Sequence, residues 1–187
     1  KGFGRRGVRS EVLAYNGSVP GPVLRSRQGG EFGARVRNAL TETTSVHWHG
    51  LRVPIGQDGV PYVTQPPIRP REIFDYRFRT NDAGTFFYHP HINSLEQVGR
   101  GLFGALIVDE ASPPPFDRDE LWVINDWSLN DFGLLDRDFD NFHDRSHAGR
   151  YGNLVTVNGT KNAKLKVRAN ERLRLRLLNA ATGRMLA

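Results

Sequence analysis

Short runs of alternating apolar and polar residues, cut every few positions by glycine, proline, asparagine or aspartate, constrain the fold of this chain more than any other feature. Seven such runs, at residues 11–15, 22–27, 31–38, 45–49, 72–79, 85–91 and 102–109, predict strands. No stretch before Ala111 carries a helical stripe, and 20 glycines with 11 prolines suit a chain of many turns. The prediction is an all-β sandwich.

Ala111-Ser112-Pro113-Pro114-Pro115 interrupts that pattern with a stiff, polyproline-like spacer that cannot serve a central sheet. A domain boundary is expected there, with residues 1–110 as one domain, 111–118 as linker and 119–187 as the start of another. Beyond it, residues 120–125, 154–157, 164–169 and 172–178 read as strands, with 126–146 as a polar, Asp-rich connection. Asn158-Gly159 marks a tight turn. The region after the linker is shorter than the roughly 100 residues of a closed sandwich, so the second unit is expected to be incomplete.

A net charge of +6 and a sequence pI near 10.1 keep nucleic acid in view as a partner. In Phe74-Asp75-Tyr76-Arg77-Phe78-Arg79 and Leu173-Arg174-Leu175-Arg176-Leu177, however, the arginines alternate with apolar residues, as on the wet face of a half-buried strand. No nucleic-acid partner is therefore expected. With no cysteine in the chain, disulfides, thiolate zinc sites, thiol nucleophiles, iron–sulfur clusters and a complete blue-copper centre are excluded. The longest apolar run, residues 102–108, falls far short of the 18 to 20 or so residues that cross a bilayer, so no membrane span is expected. Residues 1–9 are basic and glycine-rich without an apolar core, and no signal peptide is visible.

Four of the six histidines form two His-x-His pairs, His47-Trp48-His49-Gly50 and Tyr88-His89-Pro90-His91. Residues two apart on a strand share a face, so each pair presents two imidazoles side by side while Trp48 points into the core. Imidazole binds copper, zinc, iron or nickel, and two pairs in one domain favour a metal site over chance. Pro90 places the second pair at an edge or strand end. Tyr88 reads as core. Glu96 and Gln97 read as a solvated loop, and His143 and His147 as surface histidines in a polar loop.

These residues carry a resemblance. His47-Trp48-His49-Gly50 followed by Phe87-Tyr88-His89-Pro90-His91 resembles the amino-terminal half of the multicopper oxidases, the laccase-like family built from cupredoxin domains. Further similar segments are Tyr15-Asn16-Gly17-Ser18-Val19-Pro20-Gly21-Pro22, Gln57-Asp58-Gly59-Val60-Pro61, Val63-Thr64-Gln65-Pro66-Pro67-Ile68 and the glycine-rich run at 99–108. The resemblance is dense over residues 11–110 and looser through Leu177-Leu178-Asn179-Ala180.

It implies a cupredoxin-like Greek-key β-sandwich followed by a partial second one, and a copper-dependent oxidoreductase that passes electrons from a phenolic, aromatic-amine or metal-ion donor to dioxygen. By position, His47 would ligate the type 2 copper of a trinuclear cluster, His49 and His89 one type 3 copper, and His91 the other. Asp58 matches an acidic residue that assists proton delivery, although Asp58-Gly59 is by itself an ordinary turn dipeptide. A periplasmic or secreted location is implied in the same way. The four remaining trinuclear ligands and the electron-entry cysteine are not in this sequence. The chain is therefore expected to be inactive without a carboxy-terminal domain or complementary chain. The alternative is a non-catalytic copper-binding module.

Overall fold

The computed structural model describes residues 9–142, 144 and 149–186. Its elements run β1 Leu24–Arg27, β2 Gly30–Arg37, β3 His47–His49, a 3-10 turn Ile55–Gln57, β4 Ile73–Thr80, β5 Gly84–His89, α1 Ser94–Gly99, β6 Gly104–Asp109, β7 Arg118–Trp127, β8 Leu154–Val157 and β9 Leu173–Asn179. Among the described residues no helix is long and apolar enough to cross a membrane.

A four-stranded sheet in the order β1-β6-β5-β3 faces the two-stranded β2-β4. Antiparallel β2 and β4 set Phe32 opposite Phe78 and Arg35 opposite Asp75. Their inward face is therefore aromatic, and their outward face is laced with ion pairs such as the two-pronged Arg35–Asp75 contact at 2.8 Å. Between the sheets lies one core of Phe32, Val46, Trp48, Ile68, Tyr76, Phe78, Tyr88, Leu106 and Val108. Trp48 is 1% exposed and meets Phe32, Tyr76 and Phe78 edge-on at 5.2 to 5.3 Å.

β6 is buried along almost its whole length because it separates two cores. Leu106 and Val108 face the first, while Ala105 joins Val98, Phe103, Val123, Trp127, Leu135, Leu178 and Ala180 in a second. The second cluster draws side chains from both sides of the exposed segment 111–115. After that segment, β8-β7-β9 form a three-stranded sheet, β9 parallel to β7 and β8 antiparallel to it.

Four local expectations are corrected. Residues 11–15 form no strand; Tyr15 makes an isolated bridge to Ser18, and the Leu13 N–H donates to the Arg100 carbonyl. Residues 164–169 join no ladder; Leu165 is only half-buried and Val167 is exposed, so this stretch has little apolar face to pack. Residues 94–99 form a helix too short for a periodic stripe to reveal, entered through Asn93 in the left-handed conformation and braced by a Glu96–Arg100 pair. Gln97 is consequently fully buried rather than in a solvated loop, where it accepts from the Thr44 hydroxyl and donates to the Thr43 carbonyl.

The fourth correction concerns β9, whose alternation is inverted. Arg176 is 8% exposed and Leu177 61%. Arg174 and Arg176 point inward because Asp119 and Glu110 wait there, and Arg176 also donates to the Thr85 hydroxyl on β5. Burial raises the Asp119 carboxyl, but its hydrogen bonds and charge contacts with the two guanidiniums outweigh that and hold it down at about 2.

Candidate metal centre

The ladder between β3 and β5 builds the site. Their antiparallel register sets His47 directly opposite His89 and His49 opposite Phe87. Period two then puts all of these rings on one face, with Trp48 and Tyr88 on the other. β3 is the edge strand of its sheet, and β5 stops at His89 as Pro90 ends the ladder. His91, one step beyond, is fixed by its main-chain N–H donating to the Ser45 hydroxyl at 3.0 Å.

The four imidazoles come together around one space. Ring centroids are 5.7 Å apart for His47 and His49, 5.4 Å for His47 and His89, 5.2 Å for His47 and His91, 5.5 Å for His49 and His89, and 6.4 Å for His89 and His91. One ring nitrogen from each of His47, His49 and His89 lies within 4.8 Å of the others.

Ring tautomers follow from the neighbours. His47 Nδ1 lies 2.7 Å from the Asp58 carbonyl, and His89 Nδ1 lies 2.8 Å from the Pro90 carbonyl. A carbonyl only accepts, so both Nδ1 atoms carry hydrogen and both Nε2 atoms keep a lone pair in the neutral ring. Burial, reinforced by the neighbouring imidazoles and opposed by the Pro90 hydrogen bond, pushes His89 down to about 4. It is therefore a neutral donor at ordinary pH.

His49 Nδ1 and His89 Nε2 stand 3.3 Å apart. Imidazole nitrogens converging on one space are donors that would suit a first-row metal ion.

Asp58 sits at the end of the 3-10 turn, and its carboxylate Oδ1 is 3.5 Å from His47 Nδ1, farther than its own carbonyl. The structure brings the four sequence-predicted histidines together with Asp58 beside His47, and adds three groups that the sequence did not announce. Phe87 stacks on His89 with centroids 4.4 Å apart; its position two before His89 was the available signal. Ser45 and the Asp58 main-chain carbonyl left none, since both depend on the path of loops. His143 and His147 lie outside the described residues.

Comparison with known proteins supplies the family. The multicopper oxidase family model matches residues 4–113. Copper resistance protein A of Pseudomonas syringae pv. tomato is 37% identical over 161 residues, covering 82% of this chain and 26% of that protein. A multicopper oxidase of Staphylococcus haemolyticus is 33% identical over 184 residues, covering 95% of this chain and 39% of its own length. The chain thus spans well under half of these relatives. Among solved structures, a multi-copper oxidase from Pseudomonas thermotolerans superposes with a TM-score of 0.90 at 41% identity, over 94% of this chain and 43% of that one. The sandwich is accordingly a cupredoxin fold, and the chain belongs to the multicopper oxidase family.

Proposed function

We propose that this chain contributes half the ligands of a trinuclear copper centre in an oxidoreductase that couples one-electron oxidation of a phenolic, aromatic-amine or metal-ion donor to reduction of dioxygen to water. The observation that carries the reading is the register that sets His47 against His89, with four imidazoles around one space. In this reading His47 is the type 2 ligand, His49 and His89 serve one type 3 copper, and His91 the other. Copper bound there would supply the one-electron chemistry, since imidazoles stabilise both of its common oxidation states.

The chain's own residues do the rest. Carbonyls of Asp58 and Pro90 hold two rings in their ligating tautomers, and Phe87 covers the His89 ring against water. The Asp58 carboxylate, partly exposed beside His47, is suited to hold and pass a proton toward the oxygen being reduced. Residues 1–110 and 119–187 act as successive cupredoxin units, the remaining ligands and the donor site come from a carboxy-terminal domain or complementary chain, and the protein works in the periplasm or outside the cell.

Copper titration of the 187-residue chain tests this. Expected is copper binding that falls steeply in His47→Ala and His89→Ala, with no intense thiolate absorption band, because the chain has no cysteine. Oxidase turnover is expected only when a carboxy-terminal piece carrying the complementary ligands is added. Binding unaffected by loss of either histidine would sink the proposal.

A further inference from the structure

We propose that Gly59 is a positioning residue of the centre: lacking a side chain, it lets the turn lie so close to β3 that the Asp58 main-chain carbonyl locks His47 in the tautomer with Nε2 free. Only the metal readout of this inference rests on the function proposed above.

The approach is tighter than any side chain allows. Gly59 has φ of +80°, in the left-handed region. A Cβ there would fall 1.9 Å from the Val46 carbonyl oxygen, 2.5 Å from its carbon and 2.8 Å from His47 Cα. All three are backbone atoms of the ligand strand or of the residue just before it, so no rotamer change relieves the clash. Something must shift; β3 is held in its ladder with β5, so the shift falls on the few residues of the turn around Gly59, between its anchors.

Both flanks show that the turn is otherwise held in place. Before Gly59, the Gln57 side-chain oxygen accepts from the Arg77 N–H of β4 at 2.6 Å. After it, the Val60 N–H donates to the Thr64 hydroxyl at 2.9 Å and the Thr64 N–H returns to the Val60 carbonyl, closing a turn that Gln65 anchors to β4 through its side-chain amide on the Tyr76 hydroxyl at 3.1 Å. The loop is pinned on either side of one contact, and that contact is the 2.7 Å hydrogen bond from His47 Nδ1 to the Asp58 carbonyl. A side chain at position 59 displaces the carbonyl and leaves the His47 ring free to choose either tautomer. Removing the Asp58 carboxylate leaves the carbonyl where it is.

Imidazole nitrogen NMR on the metal-free 187-residue chain at about pH 8, above ordinary histidine titration, reads the tautomer directly. Wild type and Asp58→Ala are expected to show His47 protonated on Nδ1, and Gly59→Ala a mixture or the Nε2–H form. Copper(II) competition titration is expected to show a loss of about 10- to 100-fold in affinity for Gly59→Ala. The inference is overturned if wild-type His47 carries its proton on Nε2, if Asp58→Ala loses the Nδ1 proton, or if Gly59→Ala keeps the wild-type tautomer. Should Gly59→Ala fail to fold, wild type and Asp58→Ala still decide between carbonyl and carboxylate. A wild-type chain with the expected tautomer but no copper affinity would remove the proposed function and leave the positioning role standing.

Discussion

A single hydroxyl ties the core to the histidine-bearing face. Tyr76 Oη accepts from the Val46 N–H, one residue before His47, and from the Gln65 side-chain amide, both at 3.1 Å. Tyr76→Phe keeps the ring packing and strands two buried donors, which costs about 1–3 kcal/mol. Urea denaturation measures it, and a loss below about 0.5 kcal/mol would mean that other groups satisfy those donors. At this scale the sequence was informative wherever side-chain periodicity decides the outcome. His47 and His49 share a face because they are two apart, and Trp48 is core for the same reason. The Asp58 carbonyl was illegible, since a main-chain oxygen has no residue type to announce it.

Between elements, the decisive feature is the charged junction of β7 and β9. Alternation alone announces that a strand has two faces and leaves open which one is wet. Asp119 and Glu110, distant in sequence from β9, settle it by drawing Arg174 and Arg176 inward. Asp119 is held at about 2 against its ordinary 3.8, so its contribution is complete above 3.8 and disappears as pH falls through about 2. With part of the group still solvated, that contribution is on the order of 1–2 kcal/mol. Denaturation of wild type and Asp119→Asn should therefore differ at pH 6 and converge near pH 2. An unchanging difference across that window would assign the stability to packing. Helix α1 shows the opposite limit of legibility: six residues give no period to read, and its buried face is fixed by Gln97 reaching the 43–44 loop.

For the molecule as a whole, the exposed prolines at 113–115 mark a spacer in composition, yet the cluster of Phe103, Trp127 and Leu178 spans it. Sequence could locate the spacer but not the packing across it, because an apolar residue does not declare its partner. Cleavage at an engineered protease site within 111–115 should give two fragments that still co-elute in gel filtration. Trp127→Ala, costing roughly 3–5 kcal/mol of core packing, should let them part. Separation of the wild-type fragments without denaturant would show the shared core to be too weak to join them.

The pairing of His49 with His89 spans 40 residues of chain. An unfolded polypeptide offers a cation two separate, local imidazole tweezers, and the composite cage exists only once β3 has zipped onto β5. Under the proposed function, loading of the complete cage would therefore follow folding in time, and metal captured early would be held by one tweezer at most until the strands close.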